Sequence, residues 1–527
     1  MTGTLGGSLS TPLTLSKLSE IERYERFDGL QARMAEVWSV MRLNRPDESV
    51  VVVPSVTLDR AVQSSGTLDQ AYEERFLFLL LLLRQPRLRM IYVTSMPIAP
   101  EIVEYYLALL PGVIPSHARS RLTLVSVGDS SAAPLSAKLL ARPRMLRHIA
   151  DLIPNPRCSH LIPYNTTELE RDVAIYLGIP MYGADPRLAN LGTKSGCRKL
   201  FEEVGIPHPL GAEDLHSVAD AAEAIARMRK QRPAMREVIV KLDEGVSGAG
   251  NGRVDLAGLP GPGDADEQQE LIRRIAAIEL ESPDVPRDVY LAKLSDGGIV
   301  EERIVGSEVR SPSVQLRITP TGDIELLSTH DQLLGGPAGQ SYLGCAFPAD
   351  PGYARTISRY ATVAAERLVA LNVLGRFALD FVVVREVDGS WSAYAIELNL
   401  RKGGTTHPFL TLQFLTDGRY DPHTALFMTA TGRERHLVAT DHLESERLKA
   451  LTVPDLFDVI ARHGIHFHQA RQTGIVFHMI SSLTECGRVG LTAVGTTRTE
   501  AQSLHDQAER ILLDESTVAL AETPLSR

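Results

Sequence analysis

The stretch FALDFVVVREVDGSWSAYAIELN, residues 377–399, contains two strand-like segments separated by a turn signal. The dipeptide Asp388-Gly389 is typical of a two-residue hairpin turn between two apolar strands. With these two residues as the turn, Asp380 and Glu397 lie directly opposite each other, eight residues to either side. Directly opposed residues project to one face of a hairpin, with Cβ atoms about 4.5–5.5 Å apart. The sequence therefore predicts a pair of carboxylates on one face.

Asn399 follows two residues after Glu397, so it projects to the same face and adds an amide oxygen. Two carboxylates at this distance either raise a pKa or hold a cation, and oxygen ligands select Mg²⁺ or Mn²⁺. The alternative is an acid pair neutralised by Arg376 or Arg401. We favour a metal site of Asp380, Glu397 and Asn399, because Asp380 lies inside an apolar run where an unpaired acid is costly.

A second stretch, VIVKLDEGVSGAGNG at 238–252, runs from a predicted strand into a glycine-rich loop. Backbone N–H groups of such a loop close on a phosphate, and Lys241 at the end of the strand adds a positive charge. A plain hairpin is the alternative, and no Walker A sequence is present. The predicted loop contacts are Ser247, Gly248 and Gly250.

Two further segments are weaker signals when taken alone. Lys194 opens a predicted helix that ends before Gly205-Ile206-Pro207, although a lysine at a helix start opposes the helix dipole. The stretch IVEERIVGSE, residues 299–308, places three glutamates around an apolar strand, where exposed carboxylates are ordinary.

Composition and the order of the predicted elements exclude some classes of protein and indicate the fold class. The 527 residues are 44% hydrophobic with a net charge of −10, which excludes wholesale disorder and disfavours a general nucleic-acid binder. The four cysteines are widely spaced, as expected in a reducing cytoplasm. The longest apolar run, Phe76–Leu83, is too short to cross a membrane and predicts a buried helix. Strands and helices alternate in the first third, and short strands predominate after residue 238, so we expect an α/β layer followed by α+β units.

Taken together, these segments resemble the ATP-grasp superfamily of carboxylate–amine ligases. The order is the same: a lysine helix, a lysine strand with a glycine loop, a hinge of the form E-x-x-hydrophobic-x-G-x-E, a basic strand, and D…ExN. Lys194 lies 13 residues before Pro207, the spacing of the first phosphate lysine in that superfamily. Within it, the stretches 178–201, 328–336 and 473–495 resemble the pheganomycin-type peptide ligases.

The resemblance implies a role for each matching residue. Lys194 and Lys241 would contact phosphate, Glu301 with the backbone of Arg303 and Ile304 would hold adenine, and Glu308 would hold the ribose. Two basic residues would meet phosphate or an acyl-phosphate, Arg317 and Arg401, the first being a departure because a lysine is usual there.

The reaction implied by the resemblance forms an amide. ATP phosphorylates a carboxylate to an acyl-phosphate, which an amine then attacks, releasing ADP and phosphate. Phosphoryl transfer mainly requires positioning and charge neutralisation, which two lysines and Mg²⁺ or Mn²⁺ supply. A small-molecule kinase and a non-catalytic ATP-binding module on the same fold remain alternatives.

Four segments follow from the resemblance: an arm and helix at 1–44, a Rossmann-like pre-ATP-grasp domain at 45–190, an ATP-grasp domain at 191–434 and a small α+β domain at 435–527. The expected partners are a small carboxylate or amino acid and an amine or peptide acceptor, with no nucleic acid and no membrane, in the cytoplasm. For the oligomeric state, the hypothesis is a homodimer.

Other polar residues are open to two interpretations. His330-Asp331-Gln332 either lines a substrate site or forms a structured turn, and Thr405, Thr406 and His407 either contact the acyl group or stay structural. A metal site at His463, His466 and His468 is not favoured, because His466 and His468 only share one face of a strand.

Overall fold

The structure is a computed structural model that describes residues 15–41, 45, 47–57, 66–245, 248, 250–336 and 339–522. Within these ranges the chain forms three larger sheets in sequence order and one two-stranded hairpin. Ser247, predicted to contact phosphate, lies outside the described residues.

The first unit is an open α/β layer with strand order β3-β2-β1-β4, all parallel. Its elements are α1 (Glu20–Gln31), α2 (Met34–Met41), β1 (Ser49–Val53), α3 (Gly66–Arg75), β2 (Arg89–Thr94), α4 (Pro100–Ala108), α5 (Pro115–Arg119), β3 (Leu122–Ser126), α6 (Leu135–Leu140), α7 (Pro143–Leu152), β4 (Ser159–Pro163) and α8 (Glu168–Leu177). The alternation predicted from the sequence is confirmed.

Both faces of this sheet are covered, which explains the continuous apolar runs of its strands. Val51 and Val53 pack into a core with Phe27 of α1 and residues of α6 to α8. Val50 and Val52 point the other way, into a core that continues into the rest of the molecule. The first domain is therefore packed firmly against the sheets that follow it.

One local prediction differs from the structure. The run Phe76–Arg84 is buried as expected but is wound as a 3₁₀ helix, which an all-apolar pattern does not distinguish from an α-helix. Helix α6 ends at Leu140 and α7 begins at Pro143, because a proline cannot continue the first helix. Thr167 caps α8 through a capping box with Glu170.

The second unit is a five-stranded antiparallel sheet, order β5-β9-β6-β7-β8, covered by helices. Its elements are α9 (Lys194–Glu203), β5 (Gly211–Ala212), α10 (Val218–Gln231), β6 (Glu237–Leu242), β7 (Asn251–Asp255), α11 (Glu267–Ala276), β8 (Glu279–Leu280), α12 (Arg287–Lys293) and β9 (Gly298–Glu302). Its core is separate from that of the other sheets.

The third unit is an eight-stranded antiparallel sheet, order β14-β13-β10-β11-β12-β17-β19-β18. Its elements, together with the hairpin β15–β16, are β10 (Val309–Ile318), β11 (Ile324–Gly335), β12 (Ser341–Phe347), α13 (Pro351–Ala370), β13 (Gly375–Arg385), β14 (Trp391–Asn399), α14 (Thr406–Thr416), β15 (Arg419–Asp421), β16 (Leu426–Met428), β17 (His436–Glu444), α15 (Val453–His463), β18 (Gly474–His478), α16 (Ser482–Cys486), β19 (Arg488–Gly495) and α17 (Arg498–Glu522). The boundary expected near residue 435 falls just before β17, which pairs with β12 and so continues the same sheet.

The connection 303–308 joins the last strand of the second sheet to β10 of the third. A large cavity lies between these two sheets and is also lined by residues of the first domain. Among the residues that the structure describes, no helix has the length and apolar character needed to span a membrane.

Candidate active site

The hairpin of β13 and β14 brings the predicted carboxylates together. Asp380 pairs directly with Glu397, as the sequence predicts. The turn, however, contains three residues, because the backbone of Glu386 bonds that of Ser390 around Val387–Gly389. A bulge after Asp380 then inserts one extra residue in β14 and restores the expected pairing. The two one-residue differences cancel, so the pairing is confirmed although the assumed turn is wrong.

The carboxylates of Asp380 and Glu397 are held by neutral and cationic donors. The amide of Asn399 donates to Asp380 Oδ2 at 3.1 Å, and that of Gln332 donates to Oδ1 at 2.9 Å. The ammonium of Lys194 lies 2.9 Å from Oε1 of Glu397. Burial and the facing Glu397 raise the pKa of Asp380. Burial alone would raise the pKa of Glu397 too, but Lys194 and Arg401 hold it below its ordinary value.

This donor set fits a hard divalent cation. Two carboxylates and an amide oxygen of Asp380, Glu397 and Asn399 share one side of the hairpin, inside the cavity. Oxygen ligands of this kind suit Mg²⁺ or Mn²⁺, and the charges of two facing, half-buried carboxylates are what such an ion neutralises. Neither alternative neutraliser, Arg376 or Arg401, forms an ion pair with these carboxylates within 4.0 Å in the described residues.

Lys194 is the first residue of α9, where Thr193 caps the helix by accepting from the N–H of Gly196. A side chain on Gly196 would meet the carbonyl of Asn190, so the helix start approaches the preceding turn closely. Burial opposes the charge of Lys194, but Glu397 outweighs it and raises the pKa of the lysine. The unfavourable position of a lysine at a helix start is thus offset by a carboxylate of the neighbouring strand.

Lys241 stands at the end of β6 and forms an ion pair with Glu301 of the adjacent strand β9. Both side chains are buried in the cavity wall. Each predicted phosphate lysine is therefore paired with a predicted acidic site residue, Lys194 with Glu397 and Lys241 with Glu301.

The glycine loop lies against the connection between β11 and β12. A Cβ atom on Gly248 would approach the carbonyl of Gln340 to 2.9 Å, and φ is +81° there, so only glycine fits easily. The side chain of Asn251 donates to Gln340 at 2.6 Å. Gly248 and Gly250 both line the cavity, as expected of residues that cover a ligand.

The hinge residues are placed in two groups. Glu301, Arg303 and Ile304, for which the resemblance implies adenine binding, line the cavity. Glu308 does not line it, and its carboxylate instead contacts the guanidinium groups of Arg310 and Arg385.

Of the two basic residues predicted to meet phosphate, one lines the cavity and the other does not. Arg401 lines the cavity beside the carboxylates. Arg317 does not line it, because its guanidinium is paired with Glu325 and lies 5.2 Å from the centre of the Trp38 ring. This placement favours a structural role for Arg317.

The cavity has a volume of about 680 Å³ and contains lining residues that the sequence did not suggest. They come from the first domain and from three strands of the large sheet: Tyr72, Arg75, Ser313, Tyr342, Asp441 and His442. No local motif marks them, since they meet only after distant strands pair. Gln332 and Thr405, for which a substrate role was one of two interpretations, also line it.

A second cavity of about 180 Å³ adjoins the first. The two share Glu397, Asn399, Arg401 and Gly245. The second is lined by loops that follow β1 and β4, including Thr57 and the segment 165–167. Ligands of open α/β sheets bind at this carboxyl end of the strands.

Two of the ambiguous residues lie elsewhere. His330 is fully buried between Phe347 and Phe409, and burial lowers the pKa of its imidazole to about 3. Asp331 accepts from the hydroxyl of Tyr353 and pairs with Arg498 of α17. Both are structural.

Two family models match parts of the chain. The model of an ATP-grasp family described as IQCH-like matches residues 186–277 and 288–423. A model described as the PGM1 C-terminal domain matches residues 455–508. The fold is similar to that of N5-carboxyaminoimidazole ribonucleotide synthetase in its ADP complex, with a TM-score of 0.51 and 12% sequence identity. The alignment covers 90% of this chain and 98% of that one. Biotin carboxylase from Campylobacter jejuni gives a TM-score of 0.52 at 12% identity, over 89% of this chain and 95% of that one.

These likenesses show that the chain has the ATP-grasp fold. Over most of its length the chain is similar to L-propargylglycine–L-glutamate ligase of Streptantibioticus cattleyicolor, with 27% identity across 83% of this chain and 89% of that one. It is also 24% identical to IQ motif-containing protein H of Danio rerio, over 74% of this chain but only 40% of that longer protein.

Proposed function

We propose that the protein is an ATP-dependent ligase that joins an amino-acid or other small carboxylate to an amine through an acyl-phosphate. The observation that carries the proposal is the meeting of Lys194, Lys241 and the carboxylates of Asp380 and Glu397 in one cavity between the two sheets. The similarity to a named amino-acid ligase over most of both chains supports the same reaction.

In this proposal each part of the cavity has one task. Glu301, Arg303 and Ile304 line the part of the cavity next to the hinge, where the adenine would bind. Lys194 and Lys241 exchange their carboxylate partners for phosphate oxygens, which form charge-assisted hydrogen bonds of comparable strength. Gly248 and Gly250 bring backbone close to the phosphates and help to exclude water, which would hydrolyse an acyl-phosphate.

Asp380, Glu397 and Asn399 would hold Mg²⁺ or Mn²⁺. Such an ion would supply positive charge that neutralises the phosphate groups during transfer. Arg401 lies beside this set and faces both cavities, so it is placed to hold the reacting phosphoryl group and the carboxylate together.

The smaller cavity offers a separate approach for the amine. It opens onto Arg401, Glu397 and Asn399 from the side of the first domain. Its wall includes Asp243 and Glu244, whose carboxylates favour an incoming ammonium group. A route of its own lets the amine reach the reacting carbon without crossing the nucleotide.

The reaction is tested with hydroxylamine in place of the unknown amine. Purified protein is incubated with ATP, Mg²⁺, hydroxylamine and pools of amino acids and short peptides, and ADP release is read together with hydroxamate mass. A carboxylate-dependent hydroxamate is expected and identifies the acyl donor. A stable phosphorylated product formed without hydroxylamine would instead indicate a kinase, and bound ATP without turnover over a broad carboxylate panel would indicate a binding module.

We also propose that the protein acts in the cytoplasm on small molecules. All four cysteines are unpaired, as their spacing predicts for a reducing compartment. A homodimer remains part of the proposal, and light scattering of the purified chain tests it.

A further inference from the structure

A second cluster of metal-ligand side chains lies outside the predicted nucleotide site. His478 Nε2 is 2.7 Å from Asp441 Oδ1, His407 Nε2 is 3.3 Å from the same oxygen, and the two nitrogens are 3.0 Å apart. The three side chains come from α14, β17 and β18, and each is at most 5% exposed. Three electron-pair donors thus meet at one buried point.

The backbone is shaped around this point. The pairing of β17 with β19 shifts between Thr440 and Leu443, so Asp441 and His442 form a bulge. Bulges re-aim side chains, and here the bulge turns Asp441 toward His478.

Gly490 of β19 leaves space for the imidazole of His478. It pairs with His478 of β18, and a Cβ atom at position 490 would lie 2.1 Å from His478 Nε2. Only glycine therefore allows this imidazole to lie across the strand. A bulge and a glycine both serve the placement of one pair of ligand atoms.

We propose that His407, Asp441 and His478 bind a divalent transition-metal ion, with zinc the best match. Two imidazoles and one carboxylate are a common zinc donor set, and ligand atoms about 2.0–2.1 Å from a tetrahedral ion lie about 3.3 Å from one another. The three separations of 2.7, 3.0 and 3.3 Å are close to that spacing. Asp441 also lines the large cavity, which supplies a path to a fourth position.

Hydrogen bonding satisfies this cluster less well than a cation does. If one of the two Nε2 atoms carries a proton, that proton has two acceptors to serve, and if both carry one, the two N–H groups face each other across 3.0 Å. A cation accepts an electron pair from all three atoms at once.

The nearby positive charge decides which ion fits. Arg75 of α3 pairs with the other oxygen of Asp441, and its guanidinium opposes any added cation. Ions bound mainly by charge, such as Mg²⁺ and Ca²⁺, lose most from that repulsion. An ion that gains from nitrogen coordination is favoured, which points to zinc, nickel, copper or iron. The site is therefore chemically distinct from the carboxylate set of Asp380 and Glu397.

Metal analysis tests the proposal without any substrate. Full-length protein is dialysed in buffer with Mg²⁺ but no added transition metal, and its metal content is measured by mass spectrometry. After chelation, Co²⁺ is titrated in and visible d–d absorption is recorded. One equivalent per chain and a tetrahedral cobalt spectrum are expected. Absence of both would overturn the proposal.

Matched variants assign the ligands. His407→Gln and His478→Gln should each abolish stoichiometric binding. His442→Gln, beside Asp441 but outside the cluster, and His466→Gln, at an exposed histidine, should retain it. Ligand variants that keep wild-type stoichiometry would refute the assignment. Should they fail to fold, X-ray absorption of the metal-loaded wild type counts the imidazoles directly, and a number other than two contradicts the site. None of these readouts depends on ligase activity.

Discussion

Lys194 donates a hydrogen bond to Glu397, with 2.9 Å between the ammonium nitrogen and Oε1, and so ties the start of α9 to the end of β14. The two residues are 203 positions apart in the chain. The contact joins a predicted phosphate-binding group to a predicted metal ligand.

Replacing Glu397 by Gln should lower turnover by more than about 100-fold with the fold intact. Loss of an outer-shell partner of a metal ligand already costs about 10–100-fold, and this change removes a proposed ligand charge. Turnover is measured across a Mg²⁺ titration, and circular dichroism checks the fold. Glu386→Gln, on the exposed turn of the same hairpin, is the control and should be silent. Wild-type turnover at saturating Mg²⁺ would remove Glu397 from the metal set.

Replacing Lys241 by Ala should weaken ATP binding about 10- to 100-fold. A charge-assisted hydrogen bond contributes about 1.5–3 kcal/mol, and its removal also leaves Glu301 buried without its partner. Calorimetric titration with a non-hydrolysable ATP analogue gives the dissociation constant. Lys199→Ala removes a lysine that is paired with Asp214 on the surface and should leave affinity unchanged. An effect below about twofold would argue against phosphate contact.

Arg401 and Arg317 should respond differently to substitution by Ala. Arg401 faces both cavities, so its loss should reduce kcat about 10²–10³-fold, as loss of a transition-state donor does. Arg317 pairs with Glu325 and lies over Trp38, so its loss should lower the free energy of unfolding by about 1 kcal/mol and leave kcat unchanged. Both variants are compared by steady-state kinetics and by urea unfolding. A reduced kcat for Arg317→Ala at full stability would restore its phosphate role.

Lys402 should make stability depend on pH. Burial, and then Arg376, lowers the pKa of Lys402 to about 7, and its ammonium donates to the carbonyl of Pro163. The unfolded chain keeps the ordinary value of about 10.4, so it binds more protons between pH 7 and 10, and folding is favoured as pH rises through that window. Below pH 7 the full destabilisation by a buried charge is present.

Lys402→Met isolates this effect. The variant should be more stable than wild type at pH 6–7, and the difference should shrink steadily toward pH 10. Urea unfolding of both proteins at a series of pH values gives the difference directly, so that other titrating groups cancel. A difference that does not change with pH would show that Lys402 does not titrate in this window.

Local patterns were sufficient for the motifs that lie on single elements. Asp380, Glu397 and Asn399 belong to one hairpin, and Lys241 and Gly250 to one strand and its loop, so short-range periodicity predicted which residues share a face. In the hairpin, the pairing of Asp380 with Glu397 was predicted correctly although the turn was not. The longer turn and the bulge after Asp380 each shift the pairing by one residue, in opposite directions.

The sequence by itself determined the alternating first layer, the paired carboxylates, the two lysines and the glycine loop, because hydrophobic period and turn chemistry act over a few residues. Tertiary structure alone decided that Arg317 and Glu308 lie outside the cavity, and that Arg75 and Asp441 line it together. It also decided the meeting of His407, Asp441 and His478. These contacts depend on the order of strands in a sheet and on helices packed against it, and no local signal records which distant segments become neighbours.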